Sequence, residues 1–220
     1  MTITLAEEIM LLSLEDESGS AKQREAAGWA VSGGILLELV LAGKVSVKGK
    51  YLELVDTTPT GDALIDSRTA LIETWMRGRA KCRVTDWLTK DRSKAVAATL
   101  ESLCRRGVVV EEKHKAFGVF PIRRYPEADG AVERELRERL GAVVLDGVVP
   151  DSRTAGLIAL VHSAKLHRLA FPDGHGKQVA SRMEEVATGQ WAAESVRAAI
   201  RDMQAAMLAV TVITVAAVGS

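Results

Sequence analysis

The same local pattern, a helix that ends at glycine and is followed by two short strands, occurs twice in this chain. In the first unit an apolar helical stretch with one interior acid, Glu38, stops at Gly43, and "KVSVKGKYLELVD" then alternates as two strands. In the second unit the helix ends before Gly107, and "VVVEEK" and "GVFPIRRY" read as the two strands. Nearly everything after Pro126 has helical spacing. These patterns predict a mostly α-helical, single compact domain over residues 1–220, with short β-hairpins.

Composition is that of a folded protein, with 47% apolar and 26% charged residues among 220. Two cysteines are too few for a disulfide scaffold and suit a reducing cytosol. The first residues lack the basic start of a signal peptide. The most apolar segment, residues 205–218, is shorter than the roughly 20 residues of a spanning helix and reads as a core helix. We therefore expect a cytoplasmic protein whose membrane contact is peripheral.

The formal net charge of zero hides a division along the chain. The segment from Arg77 to Arg124 holds 13 lysines and arginines against 5 acids, a net of +8, so the other residues sum to −8. Such polarity can offer a basic surface to phosphates or anionic lipids. On charge alone, ordinary solvation of helix faces by these cations explains the excess equally well.

Signals for catalysis or metal binding are weak. His162 and His167 are five residues apart, whereas a helix that chelates a metal spaces its ligands by four. Cys104 falls on the apolar side of a helix, and Cys82 can be exposed but has no histidine near it in sequence. The acids of "PTGDALID" are typical of a first helical turn. We expect no enzyme, no cofactor and no metal site.

Five motifs in order make the chain similar to the Golgi phosphoprotein 3 family: "LAEEIMLLSLEDESG", "GGILLELVLAGKV", "PTGDALID", "LCRRGVV" with its hairpin, and "LIALVHSAKLHRLAF". The resemblance implies a mostly helical domain around a buried central helix. It also implies a cytosolic peripheral membrane protein that binds phosphatidylinositol 4-phosphate and has a protruding hairpin for membrane attachment and self-association. The compact length resembles that of bacterial members.

The family's lipid pocket uses one Trp and three Arg, and the motifs place these positions at Gln23, Ser32, Ser93 and Val96. None of the four residues is kept in this chain. Nearby residues that could rebuild an anion site in their place are Arg24, Trp29, Lys90, Arg92 and Lys94.

The matching hairpin, "EEKHKAFGVFPIRRYP", brackets an apolar tip with cations. Its apolar residues are Phe117, Val119 and Phe120, and its cations are Lys113, Lys115, Arg123 and Arg124. A cation near an anionic bilayer contributes about 1 kcal/mol, and a buried apolar side chain about 1.5–3 kcal/mol. The tip can therefore insert into a membrane, pack on another subunit, or face its own core as an ordinary hairpin does.

Three functions remain open at this level. The first is a peripheral protein that binds anionic, phosphoinositide-like lipid headgroups. The second is a winged-helix-like nucleic-acid binder that uses residues 95–106 and the basic hairpin, although no aromatic stack or recognition motif supports it beyond charge. The third is a scaffold or adaptor held as a homo-oligomer by the hairpin.

Overall fold

The structure, a computed structural model, describes residues 3–14, 24–116, 120–172, 176–189 and 194–218. Within these ranges nine helices and two antiparallel two-stranded sheets confirm the predicted mostly α-helical class. In chain order the elements are α1 (Leu5–Leu12), α2 (Arg24–Leu41), β1 (Val45–Lys48), β2 (Tyr51–Leu54), α3 (Ala63–Met76), α4 (Val84–Arg105), β3 (Glu112–Ala116), β4 (Phe120–Arg124), α5 (Ala131–Val144), α6 (Ser152–Ser163), α7 (His167–Ala170), α8 (Gly176–Thr188) and α9 (Glu194–Val218).

Helix α2 is the centre of the fold, as the family resemblance implied. Its residues 27–37 are all buried, and α1, α3, α4, α6 and α9 pack around it. The approach of α1 is close because Gly34 has no side chain: a Cβ there would lie 3.0 Å from the backbone nitrogen of Ala6. A helix whose middle is buried all round, as this one is from residue 27 to 37, is stable only where other elements cover every side.

Helices α2 and α4 end in the same way, which explains the repeated pattern. Gly43 and Gly107 both have φ of +69°, a left-handed conformation that only glycine adopts without strain. In each case the residue after the glycine donates its N–H to the carbonyl five positions earlier, at 2.8 and 3.0 Å. These are Schellman stops, and each directs the chain into a hairpin.

Hairpin 1, formed by β1 and β2, packs flat on the body of the protein. Its pairing runs from Val45↔Leu54 to Lys48↔Tyr51 around Gly49. The side chains of Val45, Val47 and Leu52 are buried, and β1 contacts α9. Alternation of apolar and polar residues therefore sets which face of the hairpin meets the core.

The segment before α4 joins the free edge of hairpin 1. Leu52 donates its N–H to the Cys82 carbonyl at 2.8 Å, and Tyr51 and Arg83 form an isolated antiparallel bridge. This pairing turns the Cys82 side chain inward, where it is 4% exposed. The expectation that Cys82 can be exposed is therefore wrong, because the edge contact joins residues that are distant in sequence.

Hairpin 2, formed by β3 and β4, begins four residues later than "VVVEEK" predicted. Its regular pairs run from Glu112↔Arg124 to Ala116↔Phe120. The same register continues backward through an isolated bridge between Val109 and Glu127, so the predicted start belongs to the base of one ladder. The predicted tip residues Phe117 and Val119 lie outside the described part of the chain, as do the side chains of Lys115 and Phe120.

The apolar segment 205–218 is helical, as predicted, and forms the end of α9. Ala206 and Met207 are buried, and side chains are described as far as residue 209. Among the described residues, no helix combines the length and the apolar composition that crossing a bilayer requires.

Candidate anion-binding site

Helix α4 carries the candidate cations on its outer face. Lys90, Ser93 and Lys94 are exposed, whereas Trp87, Asp91 and Ala95 are buried. Lys90 and Lys94 are one turn apart, and residues at that spacing are neighbours on the helix surface. In the described part of the chain, neither lysine forms an ion pair with an acid.

The acid between these lysines in sequence is directed into the core. Asp91 Oδ1 accepts from Arg68 Nη1 at 2.8 Å, and the two side chains are 2% and 4% exposed. Ser32 Oγ lies 3.5 Å from Asp91 Oδ2. Burial raises the pKa of Asp91, against the lowering effect of the Arg68 guanidinium. The outer surface of this turn of α4 therefore keeps its cations without the neighbouring carboxylate.

Arg92 lies on the side of α4 that faces α2. Its guanidinium carbon is 4.9 Å from the ring centroid of Trp29, within the range of a cation–π contact. Trp29 itself is 3% exposed, and no acceptor within the described residues bonds its buried Nε1. Trp29 thus contacts Arg92 from the buried side, whereas the sequence suggested that Trp29 itself contacts the headgroup. Arg24 begins α2, and its side chain is outside the described set.

The four positions of the family's pocket fall on both sides of α4. Ser32 is buried in the Asp91 cluster, Ser93 is exposed between the two lysines, and Val96 is half-buried. Gln23 lies outside the described residues. The position of Ser32 therefore faces Asp91, whose partner in this chain is Arg68. The signal for this pair was present but weak: Asp91 shares its helical face with Trp87 and Ala95.

The cationic excess of residues 77–124 is divided between the surface and the interior. Arg106 contacts the buried Glu7 carboxylate at 3.1 Å and also pairs with Asp62, the N-cap of α3. Arg77 lies 3.8 Å from Glu73 on the surface. The segment is therefore only in part a free basic surface, and the exposed Lys90 and Lys94 of α4 belong to that part.

Hairpin 2 presents fewer described cations than its sequence suggested. Lys113 is exposed, and Arg124 is half-buried. Arg123 is exposed, and its Nη1 lies 3.2 Å from Glu111 Oε1. An exposed pair of this kind contributes little to stability, so Arg123 can exchange Glu111 for another anion at low cost.

The structure brings His162 and His167 together, although their spacing does not fit a helical metal site. His162 Nδ1 and His167 Nε2 are 3.1 Å apart across the turn that joins α6 to α7. Lys165, with φ of +57°, closes that turn. Burial lowers the pKa of both histidines. The pair thus joins two helices, and its interpretation as structural stays a prediction.

Comparison with known proteins identifies the class to which this fold belongs. A model of the Golgi phosphoprotein 3 (GPP34) family matches residues 5–203. The chain therefore belongs to the Golgi phosphoprotein 3 family, as its motifs indicated.

Two proteins of that kind show how far the similarity extends. Vacuolar protein sorting-associated protein 74 of Eremothecium gossypii is 27% identical over 169 residues, which cover 66% of this chain and 50% of that protein. The Schizosaccharomyces pombe protein of the same name is 25% identical over 172 residues, 67% of this chain and 50% of its own length. This chain thus spans about half the length of these curated relatives. Neither relative is bacterial, so the bacterial origin suggested by the length gains no support from them.

Proposed function

We propose that this protein is a peripheral membrane protein that binds anionic lipid headgroups through the outer face of α4. The observation that supports this most directly is the arrangement of residues 90–94. Lys90 and Lys94 are exposed, while Asp91 is directed into the core and held by Arg68. By family resemblance the headgroup is that of phosphatidylinositol 4-phosphate, and the binding occurs at the cytoplasmic side of a membrane.

The three cations have different roles in this proposal. Lys90 and Lys94 are compact, strongly hydrated charges that attract an anionic surface without demanding one geometry. Arg92 can present two parallel N–H groups to a phosphate. Its contact with Trp29, at 4.9 Å, limits the conformations of the guanidinium before a ligand arrives. Such preorganisation lowers the entropy cost of binding.

Hairpin 2 supplies the second contact in this proposal. Lys113 and Arg123 are exposed along its ladder, and no helix makes an extensive contact with β3 or β4 within the described residues. Insertion of the Phe117–Phe120 tip into the bilayer, or its packing against a second copy of the chain, stays a prediction. Replacing Phe117 and Phe120 with serine separates the two, because only insertion makes vesicle binding of a monomer depend on the tip.

Vesicle flotation tests the proposal. We expect the Lys90→Gln/Lys94→Gln variant to bind anionic vesicles about thirtyfold more weakly than the wild type, since each cation near the surface contributes about 1 kcal/mol. The matched control is Arg168→Gln/Lys177→Gln, which removes two exposed cations from α7 and α8. This control should retain most of the binding. A wild-type protein that ignores anionic vesicles at low salt would overturn the proposal.

The choice of lipid decides how specific the site is. Vesicles with phosphatidylinositol 4-phosphate and vesicles with phosphatidylserine are compared at equal surface charge. Tighter binding to the phosphoinositide that is lost in Arg92→Lys indicates recognition of the phosphate by the guanidinium, because lysine keeps the charge but not the planar fork. Equal binding to both lipids indicates attraction by charge alone.

The nucleic-acid alternative takes second place because of how α4 is packed. In its C-terminal half Ala95, Thr99 and Leu103 are buried, and the exposed face presents Glu101 and Arg105, one acid and one cation. A recognition helix that reads a duplex needs a predominantly basic exposed face. A mobility shift on duplex DNA that strengthens steeply as salt falls would restore this alternative.

A further inference from the structure

A second group of cations lies on the outer face of hairpin 1, beside the start of α4. Tyr51 pairs with Lys48 on one side and forms the bridge with Arg83 on the other. Directly paired residues point to the same face of a sheet, as do residues two apart on one strand. Lys81, two residues before Arg83, therefore shares this outer face, while Cys82 between them is buried.

The cations converge on one aromatic ring. Lys50 Nζ is 5.6 Å and Lys81 Nζ is 5.7 Å from the ring centroid of Tyr51. Arg83 lies directly opposite Tyr51 in the bridge and is exposed. We call Lys50, Tyr51, Lys81 and Arg83 the Tyr51 cluster.

The acids near the Tyr51 cluster do not neutralise it. Glu53, on the same face, is held by Lys48 at 2.6 Å, and that hydrogen bond is the largest cause that lowers the pKa of Glu53. Asp86, in the first turn of α4, is exposed, and no ion pair within the described residues joins it to the cluster. Like charges that share one ring without a counter-ion repel each other, and an external anion removes that repulsion.

The cluster is continuous with the proposed α4 site. Arg83 is the N-cap of α4, and Lys90 and Lys94 follow seven and eleven residues later. At 3.6 residues per turn these three positions lie within about 40° of one another around the helix, along roughly 16 Å of its length. Asp86 is exposed one turn before Lys90 and about 40° from it around the helix, so one acid flanks the strip on this side.

The shape of the strip points to a flat and extended occupant. One soluble phosphate can contact one end of it, whereas an anionic bilayer offers phosphates along the whole length. Charge complementarity of this kind steers a protein onto a membrane surface and falls off within a Debye length.

We propose that the Tyr51 cluster is a second lipid-phosphate contact, so that hairpin 1 and α4 together form one basic strip that docks on an anionic bilayer. This rests on the proposed function of the protein and assigns to it residues that the sequence did not single out. Tyr51 holds the two lysines at the surface, and Arg83 supplies the planar guanidinium of the cluster.

Two measurements test the inference. In flotation with phosphatidylglycerol vesicles, the Lys81→Gln/Arg83→Gln variant should bind about thirtyfold more weakly, the loss expected for two cations near the surface. The Arg168→Gln/Lys177→Gln control should stay close to the wild type. Because Arg83 meets Tyr51 through the backbone, thermal unfolding followed by circular dichroism should show the variant folded.

The second measurement uses the wild-type chain and reports on the cluster itself. An amine-reactive reagent read by mass spectrometry should modify Lys50 and Lys81 more slowly with phosphatidylglycerol vesicles than with phosphatidylcholine vesicles. Inorganic phosphate at equal phosphate concentration should give no such protection. Protection by inorganic phosphate alone would assign the cluster to a soluble anion and overturn the docking surface.

The outcomes separate this inference from the proposed function. A wild type that does not bind any anionic vesicle overturns both. Binding that is weakened by Lys90→Gln/Lys94→Gln but unchanged by Lys81→Gln/Arg83→Gln, with Lys50 and Lys81 unprotected, overturns the inference alone. Equal losses in both variants and in the control mean that total charge, and no particular surface, drives the binding.

Discussion

The two helix–glycine–hairpin units share their local geometry and differ in where the hairpin goes. Both helices stop at a glycine with φ of +69°. Hairpin 1 then lies on the body with three buried apolar side chains, and β1 contacts α9. Hairpin 2 carries "EKHKA" and "FPIRR", and no helix makes an extensive contact with β3 or β4 within the described residues.

The difference shows which level of the sequence decides each feature. Glycine and the hydrogen bonds of the stop set the turn from helix to strand, so the motif itself is local. The apolar content of inward strand positions decides whether the hairpin becomes part of the core. A hairpin that makes no extensive contact with the helices is available to a membrane or to a second subunit.

The bases of the two hairpins also differ in charge. At hairpin 1, Lys44 Nζ bonds Asp56 at 2.5 Å and Thr58 Oγ1 at 2.6 Å. At hairpin 2, Glu127 Oε1 is buried, and none of the described residues gives it a hydrogen bond. One base is closed by an ion pair, whereas the other holds a half-buried carboxyl group.

The largest expected effect contrasts the burial of the two hairpins. Leu52→Ala should lower the free energy of unfolding by about 2–4 kcal/mol, because it leaves a cavity under hairpin 1. Lys113→Ala, on the exposed side of hairpin 2, should change it by less than about 0.5 kcal/mol. Urea unfolding followed by circular dichroism measures both. Similar losses for the two variants would mean that hairpin 2 also packs on the body.

The sequence predicted the local features of the fold and missed the contacts between distant segments. The glycine stops, the helices and hairpin 1 were predictable because glycine and apolar alternation act over a few residues. The edge contact that buries Cys82 was not, since it joins β2 to residues that follow α3. The start of β3 was predicted four residues early because "VVV" has strand propensity. In the structure Val109 forms only an isolated bridge with Glu127, and the regular pairs begin at Glu112.

Only the exposed residues of the candidate site were predictable from the sequence. Lys90 and Lys94 follow from helical spacing and from charge. The internal half depends on Arg68, which meets Asp91 across 23 residues of sequence. Trp29 was predicted to be part of the anion site, and the sequence did not show that it is buried beside Arg92. The Tyr51 cluster depends on the same edge contact that buries Cys82.

A smaller effect tests whether the two helix stops are equivalent. Gly43→Ala and Gly107→Ala should each cost about 1–2 kcal/mol, because a left-handed conformation is strained for alanine. A Cβ at either position meets no atom within 4 Å, so strain is the whole effect. Gly141→Ala, inside α5, is the matched control and should stabilise by about 0.5–1 kcal/mol. A much smaller loss of stability in Gly107→Ala than in Gly43→Ala would mean that the backbone before hairpin 2 can change its conformation to accept alanine.

The last expected effect concerns the two hairpin bases and depends on pH. Burial, helped by the Glu133 carboxylate, raises the pKa of Glu127 to about 7 from an ordinary value of 4.5. The folded protein therefore holds a proton there between these values, while the unfolded chain does not. Stability from this group is present below pH 4.5 and is lost as pH rises toward 7.

Hairpin 1 has the opposite sign, because the hydrogen bond from Lys44 holds the pKa of Asp56 below its ordinary 3.8. Its contribution is present above that value and is lost as pH falls below it.

We expect Glu127→Gln to be more stable than the wild type at pH 8 and to shift the urea midpoint less between pH 5 and pH 8. Asp56→Asn should lose stability at pH 8, since it removes the partner of Lys44. Glu135→Gln, on the exposed face of α5, reports the general effect of removing one acid. If Glu127→Gln instead unfolds at lower urea than the wild type at pH 8, the carboxylate has a cationic partner, and the contrast between the two bases is lost.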